Sequence, residues 1–187
     1  LSRSSGDQWS MAGAIQYDSS TSMLDTAEFE RSLQLSLVTL KAHKTEGNLI
    51  GIGDTLFDIG RSCHGTLRYD EAEGYFKQSI AIKQEINDIE GLSRVNREIA
   101  RLKYDKETYD SALMYCKIAL SYATKSGQKD VLCPVLMTAG LIFLAQEKFT
   151  ESLQLLTFLA YVPDAPETLQ DEAERQIMEL EIQLSAD

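Results

Sequence analysis

Aromatic, small and polar residues recur along this chain with a spacing of forty residues. An aromatic residue is followed three residues later by a small one in four segments, which are Phe29–Ser32, Tyr69–Ala72, Tyr109–Ala112 and Phe149–Ser152. Gly60, Ala100 and Gly140 share the spacing, and each stands twelve residues before the small residue of its own unit. A fixed period of this length indicates a chain built from stacked structural repeats.

Each forty-residue unit has the pattern of two helices. Leu56, Ile59 and Cys63 fall at helical spacing, and Phe76 and Ile80 continue the pattern in a second segment. Short polar stretches separate the units, and those at 46–48 and 126–128 contain a glycine that typically ends a helix. The pattern predicts an all-α fold, in which small residues allow close helix approach and an aromatic side chain fills the gap.

The motif residues resemble the tetratricopeptide repeat. Leu56-x-x-Ile59-Gly60-x-x-Cys63 followed by Ala72, Phe76 and Ser79 fits that repeat, and so does Leu136-x-x-Ala139-Gly140-x-x-Phe143 followed by Ser152, Leu156 and Leu159. The resemblance implies a right-handed solenoid of about four helix-turn-helix repeats that forms one domain over residues 1–187. The units are 8–47, 48–87, 88–127 and 128–162, and a capping helix follows at 165–184.

The two ends of the array depart from the regular unit. The first unit resembles Trp9-x-x-Ala12-Gly13, but Gly13 lies seven residues too far from Ser32, so we expect an enlarged loop from Asp18 to Asp25. The last helix has an apolar stripe and an acidic opposite face. It is interpreted as a solubilising cap, and the alternative is a recognition helix for another protein.

The period of forty rather than thirty-four resembles the C-terminal helical arms of bacterial signal-transduction ATPases and related transcription regulators. This resemblance implies a regulatory arm of a larger protein that senses a small ligand. Because the chain starts at Leu1 rather than Met, we expect it to be a fragment.

Composition narrows the range of partners. The net charge of −11 argues against general binding of nucleic acid or anionic membranes. Most of that charge is local, since the last 25 residues contain eight acids and one base. The longest nearly apolar run, 155–162, is far shorter than the roughly 20 residues of a membrane span.

Neither a metal site nor a catalytic motif is expected. Three separate cysteines and two histidines cannot supply the paired ligands of a zinc site, and they fit a cytoplasmic protein without cofactors. Cys63 and His64 are neighbours whose side chains diverge by about 100° on a helix, so they do not form a catalytic dyad. No phosphate loop or hydrolase motif occurs, and we therefore predict that the protein is not an enzyme.

In the tetratricopeptide family, the first helix of each repeat lines a concave groove. The resemblance carries this role to positions in three successive units, and the candidate binding residues are Phe57, Arg61, His64, Arg94, Arg97, Arg101, Tyr104, Met137, Leu141 and Leu144. Arg94, Arg97 and Arg101 share one helical face, where guanidinium groups can bind carboxylates in bidentate fashion. The alternative is that these arginines pair with Asp54, Asp58, Glu90 or Glu98 and only solvate the face.

The sequence therefore favours a non-catalytic protein-interaction scaffold. Its expected partner is an acidic peptide with apolar anchors, or another domain of the parent chain. A weak homodimer through the ends of the array is a further expectation, and the ligand-sensing regulatory arm is the alternative function.

Overall fold

The computed structural model describes residues 22–163 and 165–185. In these residues the chain forms eight α-helices and no strands. The helices are α1 (Ser22–Glu46), α2 (Leu49–Gly65), α3 (Tyr69–Glu85), α4 (Ile89–Asp105), α5 (Tyr109–Ser126), α6 (Lys129–Ala145), α7 (Phe149–Tyr161) and α8 (Glu167–Ser185).

The backbone repeats twice within each forty-residue period. Helices α2 to α7 begin at intervals of twenty residues. The residues of positive φ between helices follow the same interval, and they are Gly47, Leu67, Asn87, Glu107, Gly127 and Glu147. At Leu67 the N–H donates to the His64 carbonyl while the Arg68 N–H donates to the Cys63 carbonyl at 2.8 Å, which is the Schellman arrangement that ends a helix.

The helices pack in two rows. Every helix contacts the next one along the chain, and the even-numbered helices also contact each other directly, α2 with α4, α4 with α6 and α6 with α8. Among the described residues, the odd-numbered helices make no such direct contacts with each other. The first helices of successive pairs therefore form one continuous face.

Small residues at the repeat positions allow the helices of a pair to approach closely. A Cβ atom on Gly60 would lie 2.5 Å from the Phe76 ring, and one on Gly140 would lie 3.2 Å from Leu156 Cδ2. Phe76 and Leu156 are both fully buried. The prediction that an aromatic side chain fills the gap is confirmed at Gly60, whereas at Gly140 the neighbour is a leucine.

Helix boundaries differ from the prediction at both ends. Helix α1 already begins at Ser22, so the second half of the loop expected from Asp18 to Asp25 is helical. The first half of that loop and the Trp9 motif lie outside the described residues. The capping helix, predicted at 165–184, runs from Glu167 to Ser185.

The three cysteines are core residues. Cys63, Cys116 and Cys133 are free thiols with at most 3% exposure. Burial raises the pKa of each thiol, in the case of Cys116 to about 12. Because the thiolate is the nucleophilic form, none of the three is poised for attack.

The hydropathy of the helices bears on membrane insertion. Within the described part of the chain, no helix combines the length and the apolar character that a membrane crossing requires.

Candidate binding face on the even-numbered helices

The ten predicted binding residues lie on three helices that contact each other. Helix α2 carries Phe57, Arg61 and His64, helix α4 carries the other three arginines and Tyr104, and helix α6 carries Met137, Leu141 and Leu144. Successive pairs, α2 with α4 and α4 with α6, are in direct contact. The structure therefore brings the three sets of residues to one row of helices, although not all of them remain open to a ligand.

A buried carboxylate is the centre of the arginine set. Glu98 is 2% exposed, and its Oε1 accepts a hydrogen bond of 2.6 Å from Arg97 Nη2. Arg101 Nη1 lies 3.3 Å from Glu98 Oε2, one helical turn further along. Burial raises the pKa of Glu98, but the charges of Arg101, Arg97 and Arg61 outweigh it and hold the pKa well below the ordinary range. We call Glu98 and these three arginines the Glu98 cluster.

Glu98 pairs with two of the three arginines that share one face of α4, and the third arginine is exposed. Arg97 and Arg101 contact Glu98, which is one of the acids that the sequence offered as their partners. Their side chains keep 24% and 27% exposure, whereas Arg94 is exposed. Arg94 acts on Asp88 at a distance, where it contributes to the lowering of the pKa of that carboxyl. The arginines therefore combine a structural role with partial exposure at the face.

The position of Glu98 recurs in the neighbouring helices with different chemistry. Asp58 lies forty residues before it and Thr138 forty residues after it. Burial raises the pKa of Asp58 to about 6, against the lowering effect of Arg61 and Lys83 and with a further rise from Asp54. This polar position was not among the predicted site residues, and its signal in the sequence is the same forty-residue spacing.

The side chain of Phe57 connects the face to the core. Its ring lies 6.0 Å from that of Phe76, and the Arg61 guanidinium lies 5.8 Å from the Phe57 ring centroid. A cation over an aromatic face is attracted by the ring quadrupole. Phe57 therefore helps to orient Arg61 within the Glu98 cluster.

His64 is not an open groove residue. It is 7% exposed, and its Nε2 lies 2.6 Å from Asp105 Oδ2 at the end of α4. The Tyr69 ring covers it at a centroid distance of 5.7 Å. The prediction of His64 as a ligand contact is corrected, because its ring already links α2 to α4.

The apolar patch predicted on α6 is also partly closed. Met137 is 5% exposed and packs with Cys133, Leu156 and Leu159 in a cluster to which α8 contributes Ala173. Leu141 packs against the same cluster and is half-buried. Met137 is therefore a core residue under α8, which packs against this side of α6.

Two further predicted residues stay half-buried. The Tyr104 ring packs against that of Tyr109 in a tilted arrangement with centroids 5.8 Å apart, and Leu144 lies close to the end of α6. These two side chains, together with Leu141, give the face apolar surface at two successive helices.

Lys83, which the sequence pattern did not indicate, links α3 to α2 and to the residue that caps α4. Lys83 is 3% exposed, and its Nζ donates to Asp54 Oδ1 at 2.5 Å and to Asp88 Oδ2 at 2.8 Å. Burial lowers the pKa of Lys83, but the two carboxylates outweigh it and keep the pKa above its ordinary value. Asp88 also caps α4 by accepting from the Gly91 N–H. No pattern signal marked Lys83, since a lysine on a helix is normally solvent-exposed.

Comparison with known proteins gives a likeness of fold. No protein-family profile and no curated protein matches the chain. Among solved structures, BtubC (BKLC) from P. vanneervenii aligns with a TM-score of 0.59 and 10% sequence identity, over 83% of this chain and 81% of that chain. At this identity the likeness shows the fold alone, an all-helical architecture that resembles a helical repeat.

Proposed function

We propose that the chain is a tetratricopeptide-type solenoid, right-handed, with about four helix pairs and α8 as its cap. It would serve as a non-catalytic, cytoplasmic scaffold that binds an acidic peptide along the even-numbered helices. The twenty-residue spacing of the helices and the small residues at Gly60 and Gly140 support the architecture. The direct contacts between even-numbered helices support a curved array with that row on the inner side.

The observation that carries the function is the convergence of Arg61, Arg97 and Arg101 from two adjacent helices. Arg97 and Arg101 contact the buried Glu98, so the protein holds their guanidinium groups in place before any ligand arrives, and the charge of Arg61 acts on the same carboxylate. Preorganised groups lose less conformational entropy on binding. Exposed Arg94 extends the basic surface along α4, and the half-buried Leu141 and Leu144 offer apolar contacts on α6.

The test separates exposed arginines from structural ones. Removing Arg97 or Arg101 would leave Glu98 buried with less compensation, which is strongly destabilising in proteins. Arg94→Ala, at an exposed residue, is therefore the informative variant. Arg61→Ala also removes a charge that compensates Glu98, so it is compared only where its Tm matches that of the unmodified protein. The probe is a fluorescein-labelled twelve-residue peptide of alternating Glu and Leu, and fluorescence anisotropy at physiological salt gives its Kd.

We expect each variant to weaken binding by about tenfold, the loss of one charge-assisted hydrogen bond. Lys117→Ala is the matched control, because Lys117 is an exposed base on α5 in the other row of helices. Equal losses in Lys117→Ala and Arg94→Ala would show only nonspecific attraction. Absence of binding to the unmodified protein would reject the acidic-peptide groove.

A further inference from the structure

Helix α8 has an apolar buried face, and two exposed apolar side chains lie on the opposite side. One face packs against α6 and α7, where Ala173 is fully buried and Leu180 is 2% exposed. The other face carries Met178 and Ile182, which are 60% and 67% exposed. At 100° per residue, each of them points about 160° away from Leu180. The first half of this outer face is polar, with exposed Asp171 and Arg175, whereas the second half carries two apolar side chains that a purely solubilising cap would lack.

Met178 and Ile182 form a short docking stripe. They are four residues apart, so their side chains are neighbours one turn apart on the same surface. Exposed large apolar residues that occur singly are normal, but a pair at this spacing gives a partner helix two anchors in register. Among the described residues, no contact covers either side chain.

Acidic residues surround the stripe. Helix α8 contains six acids and one base, which are Glu167, Asp171, Glu172, Glu174, Glu179, Glu181 and Arg175. The base is neutralised locally, since Arg175 pairs with Glu172. Glu174 and Glu181 are exposed on one flank of the stripe, and Glu179 is exposed on the other. The outer face therefore presents two apolar anchors between negative charges.

We propose that this outer face of α8 binds a basic amphipathic helix of a partner protein. Apolar side chains of that helix would cover Met178 and Ile182, while its lysine or arginine side chains would reach Glu174, Glu179 and Glu181. Charge selects this occupant over a second copy of the chain, because two such acidic helices face to face would place like charges together. The site is distinct from the arginine-lined face and takes a partner of opposite charge.

The test uses the full chain and a defined probe. The probe is a fluorescein-labelled eighteen-residue helix with leucines on one face and lysines on the other, and anisotropy at physiological salt gives its Kd. The double variant Met178→Ser/Ile182→Ser removes the anchors and, since both side chains are exposed, leaves the fold intact. Phe158→Ser/Tyr161→Ser is the matched control, because these exposed apolar residues lie on α7 at 51% and 73% exposure.

We expect the anchor variant to weaken binding at least tenfold and the control variant to stay within twofold of the unmodified protein. Glu174→Lys/Glu181→Lys should weaken binding as well, through loss of charge complementarity. No binding to the unmodified protein, or equal loss in both serine variants, would overturn the proposal. Self-association that depends on Met178 and Ile182, measured by sedimentation, would instead identify a second copy as the occupant and would also overturn it.

Discussion

At the scale of single residues, carboxyl groups at the same helical position in neighbouring repeats have pKa values shifted in opposite directions. Glu98 is deeply buried beside three arginines, which keep its pKa low despite the burial. Asp58 lies forty residues earlier, and there burial outweighs Arg61 and Lys83, so the pKa rises to about 6. The balance between burial and the surrounding charges therefore decides whether the pKa of the carboxyl rises or falls.

The raised pKa of Asp58 predicts a pH-dependent stability. The folded protein binds this proton more readily than the unfolded chain, whose carboxyl has its ordinary pKa of 3.8. Stability is therefore gained as pH falls through 6, and it is lower at neutral pH, where the buried carboxylate is charged. Asp58→Asn removes that charge, so we expect it to add about 1–2 kcal/mol at pH 7.5, after allowance for solvent screening and for the lost attraction to Arg61.

Thermal unfolding followed by circular dichroism between pH 4 and pH 8 measures this effect. The Tm advantage of Asp58→Asn should be largest above pH 7 and should shrink toward zero near pH 4. Glu181→Gln, at an exposed acid of α8, serves as the control and should show no such pH dependence. A constant difference between Asp58→Asn and the unmodified protein across the range would contradict the assignment.

At the scale of the helices, the positive φ of the turns recurs regularly although the residue type at that position varies. Gly47 and Gly127 have the positive φ that glycine adopts without strain, at 68° and 71°. Leu67, Glu107 and Glu147 adopt the same conformation without being glycine, at φ from 56° to 60°. Because the packing of the helices on either side fixes the turn, these three residues adopt a strained backbone conformation.

Exchanging residue types between two turns tests this strain. Leu67→Gly should stabilise the protein by about 0.5–1 kcal/mol, because relief of the left-handed conformation exceeds the entropy that glycine adds to the unfolded chain. Gly127→Ala should destabilise it by about 1 kcal/mol for the backbone alone, since nothing lies within 4 Å of the new Cβ atom. Urea denaturation gives both values, and a loss of stability in Leu67→Gly would show that its side chain contributes more than the strain costs.

The helices and their closest contacts were predictable because they depend on local spacing. Gly60 faces Phe76 and Gly140 faces Leu156, as the repeat of small and large residues indicated. Ala100 and Cys116 belong to one buried cluster, so a slightly larger first residue is matched by a smaller second one. Such pairs lie within one unit, where helical geometry alone brings them together.

The candidate site was predicted less well because exposure depends on what the rest of the chain covers. The repeat resemblance assigned His64 and Met137 to the row of even-numbered helices, where they lie, but Asp105 contacts the first and α8 covers the second. Lys83 gave no signal at all, since its burial depends on carboxylates from α2 and from the turn before α4. The spacing of residues along one helix predicts the direction in which each side chain points. It does not predict which residues of other helices that side chain will contact.

At the scale of the whole molecule, each helix is stabilised by the adjacent helices that it contacts. Helix α8 covers one cluster that contains Cys133, Met137 and Leu159, while Cys63 and Cys116 belong to other clusters. In an array of this kind each unit contacts only adjacent ones, so a change at one end need not open the other. The three buried thiols report on separate parts of the chain.

Displacement of α8 should therefore expose one thiol selectively. Ala173→Glu places a charge at a fully buried position of the contact between α8 and its neighbours, in a cluster to which Cys133 belongs. We expect iodoacetamide to modify Cys133 in this variant many times faster than in the unmodified protein, whereas Cys63 and Cys116 stay protected, as peptide mass spectrometry would show. Glu174→Ala, at the exposed neighbouring position, should change none of the three rates. If all three thiols in Ala173→Glu reacted at one common rate, the array would unfold as a single cooperative unit and the neighbour-limited account would be wrong.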